Sequence, residues 1–327
     1  MDKEYRRWRV YLMFIHPEFR PVLDSLPVLD VFADLEGSRV AVAAAAEAVS
    51  PVPGVRVEER KITAADGRIQ TVRIYSPTAA SSSPRPAALW FHGGAFAIGA
   101  PNAEEGHCLR LSAGLDMVVV APDYRLAPEN PYPAGFDDCH AALIWTAEHA
   151  DELGIDVSRI ALGGHSAGAA LATSVALATR ERGGPAVAFL YLGYPVLDDR
   201  QDTPSSRTVT DDRLWNRSGA LDMWSAYLAG TDPEAGYAVP ARARDLSGLP
   251  PTYIMVCGAD PGRDEGLAFG AALTAAGVPV EMHLVPGAPH MFDVYIPQSA
   301  VARRAVADWT RALAEGLGQG TATRASD

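Results

Sequence analysis

The chain has 327 residues, 48% of them hydrophobic and 21% charged, and a formal net charge of −12. That composition supplies the core of one large α/β domain or two ordinary ones, and its negative balance disfavours nucleic acid and anionic membrane surfaces as main partners. The three cysteines, Cys108, Cys139 and Cys257, are too few and too odd in number for a disulfide framework and read as reduced packing residues.

Residues 1–50 read as helical. Trp8, Leu12, Ile15 and Phe19 recur at helical spacing, and 41–49 is an alanine-rich helix former. The apolar run 10–15 is too short for a secretory segment and lacks a small-residue cleavage site. No uncharged apolar stretch reaches the roughly 18 residues of a membrane span. The expectation is a cytoplasmic protein without a span. Pro51, Pro53 and Gly54 then break the chain, and the pattern turns to strands at 55–58 and 70–75. Residues 77–86, rich in Ser, Ala and Pro, read as an exposed connector.

Short apolar runs follow at 87–91, 117–121, 159–162, 187–192, 252–256 and 280–284. They have the character of buried parallel strands. Helical stretches at 136–149, 167–182, 263–276 and 299–317 separate most of them. This alternation predicts βαβ units, right-handed crossovers and a mostly parallel sheet covered by helices on both faces. Between 198 and 247 the alternation stops in a polar stretch containing Trp215, Trp224, Tyr227 and Tyr237, which reads as an insertion after a strand. The last ten residues, 318–327, read as a flexible tail.

The sharpest chemical signal is Gly164-His165-Ser166-Ala167-Gly168. This G-x-S-x-G pentapeptide sits between an apolar run and a small-residue helix, which is the strand–turn–helix setting of a nucleophilic serine. Glycines at 164 and 168 remove side chains that would collide with the neighbouring strand and helix. Residues 92–96, His92-Gly93-Gly94-Ala95-Phe96, directly follow the strand at 87–91. A glycine pair there lets backbone amides face a developing oxyanion. The expected donors are the N–H groups of Gly93, Gly94 and Ala167. His92 is expected to hold the loop by hydrogen bonding.

Of the eight histidines, His290 fits the base, coming late and just after the strand at 280–284 and the turn Pro286-Gly287-Ala288-Pro289. His165 adjoins the serine but leaves the turn in another direction, and His283 lies within a strand. The strand at 252–256 runs into Cys257-Gly258-Ala259-Asp260-Pro261, which makes Asp260 the expected acid. Asp264 is its rival, four residues on, where a carboxylate suits the first turn of a helix. The order Ser166, Asp260, His290 is the one this chemistry uses on an α/β sheet.

Taken together these motifs resemble those of the bacterial hormone-sensitive-lipase-like esterases, a branch of the α/β-hydrolase superfamily. The likeness spans about 70–315. It includes His92-Gly93-Gly94, Asp123-Tyr124-Arg125-Leu126-Ala127-Pro128-Glu129, Tyr132-Pro133-Ala134, the serine pentapeptide, Asp260-Pro261 with Arg263-Asp264-Glu265-Gly266, and His290 with Phe292. The resemblance implies an α/β-hydrolase fold and carboxylesterase activity on short- to medium-chain acyl esters, with a small-molecule ester as partner and no cofactor or metal. It implies a cap formed by 1–50 and 198–247 over a catalytic domain of 51–197 and 248–317, and a homodimer in some members. Candidate pocket residues are His165, Phe96, Trp215, Trp224 and Met291. Trp8, Phe14, Phe19 and Tyr227 are further aromatics for pocket or cap packing.

The chain departs from the family pattern at several places. Ala95 stands where a third glycine is common, His165 where Asp is frequent, and Ala169 and Met291 where glycine is usual. Gly262 replaces an apolar residue. These changes bear on acyl preference more than on the reaction. The Asp, Arg and Glu of 123–129 read as loop-tying ion pairs. An amidase, formamidase or acyltransferase uses the same three groups, and a non-catalytic ligand receptor uses the same fold. A metal-dependent hydrolase is disfavoured because no H-E-x-x-H or similar cluster occurs.

Overall fold

The computed structural model describes residues 14–25, 30–47, 49–64 and 66–319. Eight strands form one sheet: β1 (Val55–Thr63), β2 (Ile69–Pro77), β3 (Arg85–Phe91), β4 (Val118–Pro122), β5 (Ile155–His165), β6 (Phe189–Gly193), β7 (Thr252–Ala259) and β8 (Val280–Pro289). Their order is β1-β2-β4-β3-β5-β6-β7-β8. The alternating β1 and β2 pair antiparallel at one edge, and β2 meets β4 antiparallel. From β4 through β3, β5, β6 and β7 to β8 every pairing is parallel. Every residue of β4 and of β6 is buried, as the continuous apolar runs require of strands covered on both faces. The expected mixed, mostly parallel α/β-hydrolase sheet is therefore present.

The helices are α1 (Arg20–Leu23), α2 (Leu35–Glu47), α3 (Glu105–Leu115), α4 (Ala134–Glu148), α5 (Ala150–Leu153), α6 (Ala167–Arg182), α7 (Pro204–Thr208), α8 (Arg217–Leu228), α9 (Arg263–Ala275), α10 (Phe292–Tyr295) and α11 (Ala300–Gly316). Two apolar cores sandwich the sheet. One holds β5, α4 and α6 side chains such as Leu162, Leu143 and Leu171. The other packs Trp309 of α11 with Trp90, Tyr191 and Tyr253. Residues 167–179 of α6 are buried throughout, which explains its run of alanines: only small side chains let a central helix lie close to the strands.

Two expectations change. The helical reading of 1–50 holds for α2 and the short α1 but not for the other described residues before α2. Ile15 lies in irregular chain, Phe19 only precedes a four-residue helix, and Pro17 and Pro21 stop a longer one. Trp8 and Leu12 lie outside the described residues, as does the tail beyond 319. Helix α3 was not expected, because Gly106 and Gly114 weaken its propensity. Its burial of His107, Cys108, Leu109 and Leu111 supplies what propensity does not. The stretch between β6 and β7, read as an insertion after a strand, carries α7, α8 and a short 3-10 turn at Pro240–Arg242. The three cysteines are buried and free. No helix among the described residues is long and apolar enough to cross a membrane.

Candidate active site

Four parallel strands end at one rim: β3 runs into His92, β5 into Ser166, β7 into Asp260 and β8 into His290. The carboxyl ends of such strands are where open α/β sheets place their ligands. At the turn from β5 to α6, Ser166 adopts φ 54° and ψ −117°, a region costing a non-glycine residue about 1–3 kcal/mol. A side chain at either Gly164 or Gly168 would run into the Phe91 carbonyl. The turn thus packs directly on the end of β3, and only this glycine pair allows it. The Ser166 N–H is tied to the Gly193 carbonyl at 2.9 Å. Its hydroxyl stands at the N-terminus of α6, where the helix dipole favours negative charge.

His290 links the other two groups. Its Nε2 lies 2.8 Å from Ser166 Oγ, and its Nδ1 lies 2.5 Å from Asp260 Oδ2. Asp260 Oδ1 accepts the Gly262 N–H at 2.7 Å. With Nδ1–H donating to the carboxylate, Nε2 is left to accept the serine proton. All three residues are buried, and His290 is flanked by Trp215, stacked at 5.9 Å, and Tyr194, edge-on at 5.0 Å. The rival carboxylate is elsewhere: Asp264 accepts from the Ser205 N–H and from Arg263, each at 2.7 Å. His283 lies beside Glu281 at 2.8 Å on β8.

The loop after β3 differs from expectation at one donor. The Gly93 N–H does not face the serine. It donates to Glu104 Oε1 at 2.8 Å, because that buried carboxylate lies behind the loop. Gly94 (φ 122°), Ala95 (φ 54°) and Phe96 (φ 56°) then form a left-handed run, and the N–H groups of Gly94, Ala95 and Ala167 have no partner among the described residues. At Gly94 a side chain would strike the Ile98 carbonyl. Successive amides in such a run make an anion-binding concavity. His92 holds this loop: its Nδ1 lies 3.1 Å from the Tyr124 hydroxyl, its ring stacks on Tyr124 at 4.2 Å, and Tyr124 donates to the His92 carbonyl at 2.7 Å. Met291, where glycine is usual, also takes a left-handed conformation, φ 57°.

A cavity of about 320 Å³ opens at Ser166, Gly94, Ala95 and His290. One wall comes from the N-terminal segment: Val22, Leu23, Val31, Ala41, Val42 and Ala45. The other comes from Leu214 and Trp215 of the insertion with Met291, Phe292, Tyr295 and Ile296. Of the expected pocket residues, Trp215 and Met291 line it. Phe96 and Trp224 do not: Phe96 stacks on Tyr227 at 3.8 Å and packs on Trp224 at 5.7 Å, all three in the core. His165 is fully buried behind the turn, with Nδ1 2.7 Å from Glu104 Oε2 and Nε2 3.0 Å from Tyr191 Oη. Phe19 is buried against Phe292, and Phe14 is exposed.

Ion pairs hold the cavity walls. Arg39 of α2 makes a two-pronged bond to Glu129 at 2.8 and 2.7 Å and reaches the carbonyls of Ala97 and Ala127. Arg213 bridges Asp24 and Asp211 at 2.8 and 2.7 Å. Within 123–129, Arg125 pairs with Asp138 at 2.8 Å and Glu129 with Arg39, so these two tie loops together as expected, whereas Asp123 is exposed and makes no ion pair among the described residues.

Sequence reading missed Glu104, since a glutamate twelve positions beyond His92 carries no local signature. It also missed the small residues of α2 facing the cavity, which look like ordinary helix formers. Among the described residues, His107, His165 and Asp293 bring three atoms of metal-ligating type within 4.8 Å of one another. His165 is already committed to Glu104 and Tyr191, and Asp293 Oδ1 to the Tyr194 hydroxyl at 2.8 Å, while His107 Nε2 only approaches Asp293 Oδ2 at 4.0 Å.

A family model described as alpha/beta hydrolase fold matches residues 88–294. Esterase LipI of Mycobacterium tuberculosis is 41% identical over 235 residues, covering 71% of this chain and 73% of that protein. Carboxylesterase NlhH of the same organism is 36% identical over 312 residues, covering 91% and 96%. Among solved structures, a bacterial heroin esterase is 39% identical with a TM-score of 0.88, covering 93% of this chain and 98% of that one. Esterase LipW of Mycobacterium marinum is 36% identical with a TM-score of 0.80, covering 92% and 96%.

Proposed function

Since the chain belongs to the α/β-hydrolase family, in its hormone-sensitive-lipase-like branch, and is a carboxylic ester hydrolase, we propose that Ser166, His290 and Asp260 carry out the ester cleavage through an acyl-enzyme. The observation that carries this reading is the imidazole of His290, within hydrogen-bond reach of both the Ser166 hydroxyl and the Asp260 carboxylate.

His290 Nε2 takes the hydroxyl proton as Ser166 Oγ attacks the ester carbonyl. Asp260 fixes the tautomer and stabilises the imidazolium. The oxyanion is received by the N–H groups of Gly94, Ala95 and Ala167, with Ala95 taking the place expected of Gly93. Collapse breaks the C–O bond, His290 returns the proton to the leaving alcohol, and water repeats the sequence on the acyl-enzyme. The N-terminal segment and the insertion act as a cap, and their apolar walls suit a short- to medium-length acyl chain.

Steady-state hydrolysis of p-nitrophenyl acetate, butyrate and octanoate tests this. Ser166→Ala should lower kcat by roughly 10⁴- to 10⁶-fold, the range for losing a serine nucleophile. Retention of more than a few per cent of wild-type turnover would exclude Ser166 as the attacking group.

A further inference from the structure

Behind the serine turn lies a buried carboxylate that the ester chemistry leaves unused. Glu104 precedes α3 and is 4% exposed. Its Oε1 accepts the Gly93 N–H at 2.8 Å, and its Oε2 accepts the Trp90 indole N–H at 2.7 Å and the His165 Nδ1–H at 2.7 Å. Gly93 is the residue before Gly94, and His165 is the residue before Ser166. One rigid carboxylate therefore touches the residue ahead of the proposed oxyanion donors and the residue ahead of the proposed nucleophile.

Building on the Ser166 reading above, we propose that Glu104 is a positioning residue which clamps the oxyanion loop to the nucleophile turn and so fixes the aim of the Gly94 and Ala95 amides relative to Ser166 Oγ. The loop needs such a clamp. Gly94, Ala95 and Phe96 are held at positive φ, and relaxation of even one of them would swing an amide away from the oxyanion. Oxyanion stabilisation depends on donors aimed beforehand, within a few tenths of an ångström. A buried carboxylate with three donors is also costly to disturb, since each donor left unpaired in the interior is itself destabilising.

The charge balance agrees with the geometry. Burial works against an ionised Glu104, yet the neighbouring His165 and the hydrogen bonds bring its carboxyl down to about 2. Burial likewise opposes a charged His165, but Glu104 and then Asp293 raise it above its ordinary value. The same cluster reaches the third corner of the site, because Asp293 follows His290 by three residues and accepts the Tyr194 hydroxyl.

The test uses the full chain and three substitutions: Glu104→Gln, Glu104→Asp and His165→Asn. In Glu104→Gln the amide nitrogen faces N–H donors that the carboxylate had satisfied. The readouts are kcat and KM for p-nitrophenyl butyrate, the Ki of an alkyl trifluoromethyl ketone, thermal midpoint, and mass-detected phosphonylation of Ser166. The ketone carbon bonds to Ser166 Oγ and its oxygen becomes an oxyanion, so its affinity reports on the amides directly. Glu104→Gln should lower kcat about 10- to 100-fold, somewhat less than deleting an oxyanion donor outright. KM should change little, and the ketone Ki should weaken by the same factor as kcat/KM. Glu104→Asp should recover part of both. An unchanged kcat, or a loss of kcat/KM with an unchanged ketone Ki, would overturn the clamp. If Glu104→Gln does not fold, His165→Asn must show the same parallel loss, and its failure to do so overturns the proposal equally. A wild-type enzyme that takes no phosphonyl label at Ser166 removes the Ser166 reading along with the clamp, an outcome distinct from a labelled wild type beside an unaffected variant.

Discussion

The serine turn and the cavity walls are built by different physics. At the turn, Gly164 and Gly168 lie so close to the Phe91 carbonyl that no side chain fits, and the neighbouring polar groups are buried. The cavity wall made by α2 rests instead on Arg39 and Glu129, whose side chains are 26% and 54% exposed. Arg213 and Asp24, which join the two walls, are similarly open at 39% and 74%. Charges facing water are screened and hold weakly, whereas a packed turn has one arrangement. The proposed reaction site is thus set by sterics within a rigid sheet, and the proposed substrate site by contacts free to vary.

Breaking the buried side should have the largest effect. Asp260→Asn leaves the packing intact but removes the group that orients Nδ1–H of His290. It should cut kcat by about 10⁴-fold, the cost of the wrong tautomer in this chemistry. Steady-state kinetics with p-nitrophenyl butyrate, alongside an unchanged circular-dichroism spectrum, would check it.

Acid should sharpen the contrast next. Burial, helped by the nearby His165, pushes His107 down to about 4. Its ordinary value is 6.5, so the unfolded chain binds a proton in a range where the folded chain does not. Stability from the neutral imidazole is complete above about 6.5 and is lost as pH falls towards 4. The groups facing it include His165, Asp293, Glu104 and Arg110, and the first three are buried with it. His165 works the other way, losing its contribution as pH rises above its ordinary value. Thermal midpoints should therefore decline between pH 6.5 and 4 in the wild type and less steeply in His107→Gln. Identical slopes would contradict the assignment.

On the cavity side the effects should be smaller and selective. Trp215→Ala removes a wall that also stacks on His290. The ratio of kcat/KM for octanoate over acetate esters should shift by roughly tenfold, the scale set by one or two methylenes in an apolar pocket. Arg39→Ala should change kcat/KM for butyrate by less than about tenfold, since exposed pairs contribute less than the 1.4 kcal/mol that a factor of ten represents. A loss as large as that of Asp260→Asn would mean the walls and the serine turn are one cooperative unit.

The sequence by itself determined the alternation of strands and helices, hence the mostly parallel sheet, because continuous apolar runs such as those of β3, β4, β6 and β7 are buried on both faces only between covering helices; the run at 280–284, read as equally buried, lies in β8 and stays partly exposed. It also marked Ser166, Asp260 and His290, since each ends or follows a strand beside glycine or proline, and such turns leave a local trace. Only the tertiary structure decided that Gly93 faces Glu104 while Gly94 and Ala95 face the cavity, that His165 is sealed behind the turn, and that Phe96 and Trp224 pack in the core. It alone placed the small residues of α2 opposite Trp215. The direction of an amide and the neighbour of a side chain depend on segments far apart in the chain. Helix propensity and hydrophobic period register only what lies within a few residues.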